Sequence, residues 1–574
     1  MICAGPARAL TVEIDAPDLV RELLTQHLEA ARAARLGEAI GEELGETEVA
    51  RLRVSSLESA RELLATEGYF SPRVESALSR DAAGPLLRFS VTPGPRTRVR
   101  AVDLAFVGAL AEAEDDGRRL RARSERQFVL RPGMPFRQAD WDASKQAALR
   151  VLQSSQYSAA RLVDSQARID PDTQSADLAV TLDSGPAFFF GKLQIEGTRR
   201  YPQSIIDKLD PTRPGQPFRQ QQLLDFQMAL EDSGYYSRAS VRVDPDPALA
   251  AAVPIRVEVE ERPEKLFSVG IGASTDTGAR VQASWLHRNV RDRGLRLKLD
   301  ARLEETRQNG AIELAWPRNR AGYDNSIGLQ LKQEDIEGQD TLSKLVVAKR
   351  SRIRGVHSNQ IEVTQSLQYQ TEAQRVGAVP QFDNRALTAN LAWTRRRLGR
   401  GFYPRSGDVL SAQIGGASEV LLSDTSFLRL LGRYTRYFSA GDNGRLILRG
   451  ELGGVLAETR DGIPTDFLFR AGGDNSVRGY AYQSLGRDLS GGVASVRYLV
   501  TGSAEYNHFF ANNWGWAVFV DAGDAADSPA RLSPVFGYGI GARYRSPVGP
   551  INLDLAYGEA SEEVRLHFSL GVSF

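Results

Sequence analysis

From Lys265 to Phe574 the chain alternates apolar and polar residues with a period of two, the signature of strands with one face in an apolar medium and the other in a polar one. Leu295, Leu297, Leu299, Ala301 and Leu303 alternate with Arg296, Lys298, Asp300, Arg302 and Glu304. A soluble sandwich also buries one face of each strand. Here ionic faces recur strand after strand over a stretch about twice the usual length of a soluble all-β domain. Strands are expected at 265–274, 279–289, 294–305, 309–318, 325–336, 342–352, 357–371, 386–396, 408–418, 426–438, 444–456, 495–509, 514–522, 534–545, 550–558 and 564–574. That number is even, as in bacterial transmembrane barrels. The last strand sets Leu566, Phe568, Leu570, Val572 and Phe574 against His567, Ser569, Gly571 and Ser573, and an aromatic-ended strand of this kind reads as an outer-membrane targeting strand. Trp514, Trp516 and Tyr544 fall near strand ends, where interfacial aromatics belong.

Before residue 264 the chain repeats itself. Arg131-Pro132-Gly133-Met134-Pro135-Phe136-Arg137-Gln138 recurs as Arg213-Pro214-Gly215-Gln216-Pro217-Phe218-Arg219-Gln220, each time ahead of a helical pattern. That helix closes on Gly68-Tyr69-Phe70-Ser71, Gln156-Tyr157-Ser158 and Gly234-Tyr235-Tyr236-Ser237. Three β-α-α-β-β modules follow from this, at 10–95, 96–186 and 187–263, with 264–574 as the barrel. The fold class is therefore α+β repeats followed by an all-β, sixteen-stranded transmembrane barrel. In the first module Leu19, Val20, Leu23, Leu24 and Leu28 are expected to form one apolar helix stripe over a small sheet, and the tyrosine markers to be core. The sheet edges could accept a partner strand. Residues 1–9, with Ala7-Arg8-Ala9, read as a signal-peptide remnant.

Composition removes several functions. Formal net charge is zero, so no basic field for nucleic acid exists. One cysteine, Cys3, permits no disulfide framework. His27, His287, His357, His508 and His567 show no ligand spacing. No metal, cofactor or catalytic group is expected, and the chain reads as a non-enzyme. No run of eighteen apolar residues occurs, which excludes a spanning helix but not a barrel.

The longest interruption, 457–494, holds Phe469-Arg470-Ala471-Gly472-Gly473-Asp474-Asn475-Ser476-Val477-Arg478-Gly479-Tyr480. Long loops between short strands are usually functional. On a following strand, alternation turns Trp514, Trp516, Val518 and Val520 toward lipid, and so turns Phe519 and Asp521 toward the lumen. Gly537, Gly539 and Gly541 face the same way and leave room for a loop.

Modules in series, a sixteen-strand barrel and a Val-Arg-Gly-Tyr loop resemble the outer-membrane assembly superfamily, whose modules are POTRA domains. The resemblance implies that Val477, Arg478, Gly479 and Tyr480 lie on the sixth extracellular loop, folded back into the barrel. It implies also that Phe519-Val520-Asp521-Ala522-Gly523 supplies the partner acid Asp521, with Phe519 and Gly523 beside it. Three modules are most similar to the TamA branch. That branch implies a TamB-like inner-membrane-anchored partner docked on the modules, unfolded outer-membrane protein clients such as autotransporters, and contact with outer-membrane lipid, including a role in phospholipid passage. A BamA-like general assembly factor and a two-partner secretion pore are the alternatives. The implied localisation is the outer membrane with the modules in the periplasm. A lateral seam between the first and last strands is expected near Phe267, Gly270, Gly272, Gly571 and Phe574, where glycines weaken strand interiors. Arg478 and Asp521 are expected to pair directly, so Asp521→Arg with Arg478→Asp should restore function better than either single change.

Overall fold

The computed structural model describes residues 10–40, 44–81, 84–356, 358–399, 403–510, 513–547 and 549–570. Residues 1–9, expected as a signal-peptide remnant, and Gly571, Val572 and Phe574 lie outside them.

Three small sheets with the same topology come first. The elements are β1 (Thr11–Asp15), α1 (Asp18–His27), α2 (Glu29–Ile40), α3 (Glu46–Thr66), β2 (Arg73–Asp81) and β3 (Gly84–Thr92), then β4 (Arg98–Val107), α4 (Ala109–Glu112), α5 (Asp115–Gln127), α6 (Gln138–Gln153), β5 (Arg161–Asp170) and β6 (Ser175–Asp183), then β7 (Phe190–Glu196), α7 (Ser204–Leu209), α8 (Gln220–Asp232), β8 (Tyr236–Arg242) and β9 (Val253–Glu261). The sheet orders are β1-β3-β2, β4-β6-β5 and β7-β9-β8. In each of the first two, the opening strand runs parallel to the central one.

The expected β-α-α-β-β order holds for the third sheet, while the first two carry an added helical segment. In the first, the expected stripe does not lie on one helix: α1 stops at His27 because Leu28 is extended, at φ −62° and ψ 133°, and Leu28 is then buried by itself. Val20 and Leu24 are buried, but Leu19 is 81% exposed. Its position, one residue before Val20, turns it about 100° off the buried face. The twice-used Arg-Pro-Gly segment makes the same structure each time. Gly133 and Gly215 have φ of 89° and 82°, the left-handed turn that glycine allows. Isolated bridges Arg98↔Pro135 and Phe189↔Pro217 follow, and Phe136 and Phe218 are buried. Tyr157, Tyr235 and Tyr236 are core residues.

The barrel closes through β10 (Lys265–Ser274), β11 (Gly278–Val290), β12 (Leu295–Glu304), β13 (Arg307–Ala315), β14 (Asp324–Ile336), β15 (Gln339–Val356), β16 (Asn359–Val376), β17 (Phe382–Leu398), β18 (Gly407–Ala417), β19 (Phe427–Ala440), β20 (Gly444–Leu456), β23 (Tyr498–Phe509), β24 (Trp514–Ala526), β25 (Val535–Ser546), β26 (Gly549–Gly558) and β27 (Glu563–Leu570). A two-strand hairpin, β21 (Arg487–Leu489) with β22 (Gly492–Ala494), stands apart from the barrel sheet. The strand expected from 495 starts only at Tyr498, because Val496 is bridged to Phe469 of the preceding loop. Among the described residues no helix is long and apolar enough to cross a membrane. The barrel does so with strands whose outward residues, such as Leu329, Leu331, Val518 and Val520, are exposed apolar side chains.

The chain divides into two compact units, the first made of residues 1–196, 212–227 and 240–257 and the second of 197–211, 228–239 and 258–574. Within the second, the turn between β11 and β12 is held by short-range polar contacts. Asn289 donates to the Arg200 carbonyl at 2.8 Å, and the Tyr235 hydroxyl donates to the Gly294 carbonyl. Burial pushes that hydroxyl up to about 12, so it remains a donor. The first unit is built on clusters such as Leu24, Leu52, Leu64, Leu87 and Phe89. Leu87 is fully buried on the central strand. Leu87→Ala is expected to destabilise its module by about 2–5 kcal/mol, read as a lower urea midpoint of the early circular-dichroism transition of the full chain, with the heat-modifiable migration of the barrel unchanged.

Candidate functional site: a charged clasp inside the barrel

Residues 457–497 leave β20 and turn into the lumen. Phe467, Leu468, Phe469 and Ala471 are buried against inward residues of the barrel wall, Ala386, Phe427, Leu431 and Val455. The chain then reverses at Gly472 and Gly473, with φ of 105° and 96°, a backbone shape that side chains resist. Ala471 and Leu485 bridge the two limbs. The loop thereby delivers Val477, Arg478, Gly479 and Tyr480 to the inner face of β23 through β27, and all four are buried.

Arg478 is the centre. Its Nε and Nη2 donate to Asp521 at 2.7 and 3.0 Å, and its backbone N–H reaches the same carboxylate at 3.1 Å. Nη1 donates to Glu505 at 2.7 Å and to Asp554 at 3.0 Å. The guanidinium lies 3.4 Å from the centroid of the Phe519 ring, a cation–π stack that fixes its plane. Arg543 bridges Glu505 at 3.1 Å and Asp554, and Arg449 stands 3.7 Å from Glu505. Three guanidinium groups thus face three carboxylates. Strand register creates the cluster: Glu505 lies opposite Phe519, Asp521 opposite Gly537, and Asp554 opposite both Gly541 and His567.

Glycines make the close approach feasible. The Arg478 carbonyl occupies the space a Cβ at Gly537 would need, and Val477 occupies that at Gly523. Gly479, at φ 95°, packs backbone to backbone on Gly558. The three β25 glycines therefore differ in use. Gly537 admits the loop, whereas Gly539 makes room for the Phe519 ring and Gly541 for Asp554 with Arg543. The Tyr480 hydroxyl donates to the Phe536 carbonyl at 3.1 Å and accepts from the Ala560 N–H at 2.9 Å.

A second knot sits beside the first. His567 Nε2 accepts the Gly479 N–H at 3.0 Å, and its Nδ1 is 2.6 Å from Asp474. The Asp474 N–H in turn donates to Asp276 at 3.1 Å. Asp276, Asp474 and His567 are close enough to one another to be considered as metal ligands. The backbone N–H on Nε2, however, assigns the proton to Nδ1, so that nitrogen is a donor to Asp474 and not a free ligand. This knot joins the β10–β11 turn, the loop and β27.

Of the anticipated site residues, the clasp group Val477, Arg478, Gly479, Tyr480, Phe519, Asp521 and Gly523 comes together. The seam group is only partly described. Phe267 points outward at 67% exposure, and Gly270 and Gly272 lie on the opposite, inner side of β10. Leu566 and Phe568 lie on β27, which Leu570 ends. Sequence reasoning missed Glu505, Arg543, Asp554, Asp474 and Asp276. Strand parity could have found the first three, since Arg543 continues the row of Gly537, Gly539 and Gly541. No sequence signal marks Asp276.

A closed sixteen-strand barrel, three preceding modules and a loop clasped in the lumen define an outer-membrane barrel with periplasmic modules. Residues 265–574 match the Omp85 superfamily domain, and residues 188–262 match the surface antigen variable number repeat of the POTRA class. The chain belongs to the Omp85 superfamily. It is 35% identical over 115 residues to the chloroplastic outer envelope protein 80 of Arabidopsis thaliana, covering 18% of this chain and 14% of that protein. It is 21% identical over 440 residues to the outer membrane protein assembly factor BamA of Nitratidesulfovibrio vulgaris, covering 72% of this chain. The chain spans 54% of the length of that assembly factor. Among solved structures, BamA from Haemophilus ducreyi lacking POTRA domains 1–3 superposes with a TM-score of 0.66 at 16% identity, over 84% of this chain and all of that one. CdiB from Escherichia coli reaches a TM-score of 0.50 at 12% identity, over 92% of this chain and 99% of that one.

The direct pair expected from the sequence is present but is one part of a larger network, and this reverses the exchange experiment. Arg478→Asp with Asp521→Arg would set an acid beside Glu505 and Asp554, so the double variant should behave no better than Arg478→Asp alone. Arg478→Ala is expected to cost about 3–5 kcal/mol through the carboxylates left without it, measured as faster proteinase cleavage within residues 457–497. His567→Phe, which strands the buried Gly479 N–H, should cost about 1–3 kcal/mol in the same assay.

Proposed function

We propose that the protein is a non-enzymatic insertase subunit of the TamA type, which assembles β-barrel or autotransporter proteins into the outer membrane. Its N-terminal modules receive a TamB-like inner-membrane-anchored partner and unfolded clients, and its barrel contacts outer-membrane lipid, with phospholipid passage as a further role.

The observation that carries this reading is the join between the first and last strands, where Ser274 lies opposite Ser569 and the Thr275 N–H donates to the Phe568 carbonyl at 3.1 Å. A first and a last strand that part at such a join offer a template for an incoming strand. Gly270 and Gly272 leave the inner side of β10 without side chains, which weakens the packing of that strand. Three repeated sheets are described, the number that the resemblance to the TamA branch implies.

The native sequence holds a single cysteine, so a seam lock is simple to build. Ser274→Cys with Ser569→Cys places two cysteines on directly paired positions, within reach of a disulfide. Oxidation is expected to abolish client insertion into liposomes, and reduction to restore it. Insertion undiminished by the oxidised lock would sink lateral opening. Capture by the full chain from envelope extract tests the partner: a large inner-membrane-anchored protein supports the TamA type, and small outer-membrane lipoproteins alone speak for a BamA-like role.

A further inference from the structure

Beneath the inserted loop lies a cavity of about 430 Å³ on the side of the lumen formed by β12–β15 and β19–β20, away from the clasp. Its charge is unbalanced. Six cationic side chains line it against three carboxylates. Three of the cations are accounted for: Arg307 and Lys332 hold Glu334, Lys332 also holds Asp466, and Arg433 holds Glu451 at 2.9 Å. Arg302, Arg429 and Arg470 have no carboxylate partner among the described residues.

What those three touch is neutral. Arg302 donates to Gln282 at 3.4 Å and Arg429 to Gln413 at 3.3 Å. Arg470 donates to the Ile336 and Val493 carbonyls at 2.9 and 3.2 Å and to the Gln483 side-chain oxygen at 2.5 Å. Arg429 also stacks 5.0 Å from the Phe469 ring centroid, and its Nε is buried with no hydrogen-bond partner. A buried donor left unmade is costly. A cleft lined by one sign of charge concentrates the opposite ion, and arginine-lined lumens are the usual solution for anions and phosphate.

We propose that this cavity is a binding site for a phosphoryl oxyanion, held between the barrel wall through Arg302 and Arg429 and the loop through Arg470. A tetrahedral oxyanion offers several acceptor oxygens to these planar forks and to the hydroxyl of Thr341, which also lines the cavity. A spherical halide satisfies far fewer of them. Phosphate groups reach such a lumen from two sources, free phosphate and the headgroup of an anionic phospholipid, and the chemistry of the site is common to both. The site is separate from the seam and does not depend on the identity of the client.

The test uses the full chain in a phosphate-free, non-ionic detergent buffer at constant ionic strength set with sodium chloride, titrated with inorganic phosphate in a calorimeter. Saturable binding at millimolar phosphate or below is expected, weakened about ten-fold or more in Arg302→Gln/Arg429→Gln. Arg350→Gln, outside the cavity, should bind as the parent does. Arg429→Lys, which keeps the charge but loses the fork, should fall between, and heat-modifiable migration identifies the folded variants. A parallel titration with dihexanoyl-phosphatidylglycerol distinguishes the sources: tighter binding than phosphate assigns the site to a headgroup, and equal or weaker binding assigns it to free phosphate. Absence of saturable phosphate binding to the parent chain, or equal affinity in the folded double variant, overturns the proposal.

Discussion

A guanidinium group buried to 2% exposure inside a membrane barrel is the constraint around which this structure is arranged. Removing such a cation from water is costly unless its charge and all its donors are met. Arg478 meets that demand only where β23, β24 and β26 bring Glu505, Asp521 and Asp554 to one point. The loop is held there a second time, by an apolar limb packed on the inner wall at Phe427 and Leu431. Backbone access then dictates the glycines. Gly537 must lack a side chain for the Arg478 carbonyl to approach, and Gly479 must adopt a left-handed conformation against Gly558.

The same loop reaches the join of the first and last strands. There Ser274 lies opposite Ser569, the Thr275 N–H donates to the Phe568 carbonyl at 3.1 Å, and the Thr275 hydroxyl accepts the Phe568 N–H at 3.0 Å. The loop adds to these contacts: the β10–β11 turn offers Asp276 to the Asp474 N–H, and β27 offers His567 to both Asp474 and the Gly479 N–H. The first and last strands are thus linked through the loop as well as directly.

Most of the architecture was legible because a barrel imposes period two and a module imposes repetition. Strand limits such as Lys265–Ser274 and Gly444–Leu456 coincide with the expected ones. Where expectation failed, a tertiary contact had overridden a local pattern: Leu28 leaves its helix to fill the core, and Val496 pairs with Phe469 of the loop before the chain joins the sheet. The site was legible in part. A motif names Arg478 and Asp521, but how many acids one arginine serves depends on strand register, which no single strand records. Asp276 lies nearly two hundred residues before Asp474, and only the closure of the barrel brings them together.

Backbone hydrogen exchange of residues 470–485 in the full chain, reconstituted in lipid nanodiscs, bears most directly on the clasp. The amides of Gly473, Arg478 and Gly479 are bonded to Val477, Asp521 and His567, so their exchange should be as slow as that of the flanking strands β24 and β26, and fast in Arg478→Ala. Exchange of those amides in the parent chain at the rate of an open surface loop would contradict a clasp inside the barrel.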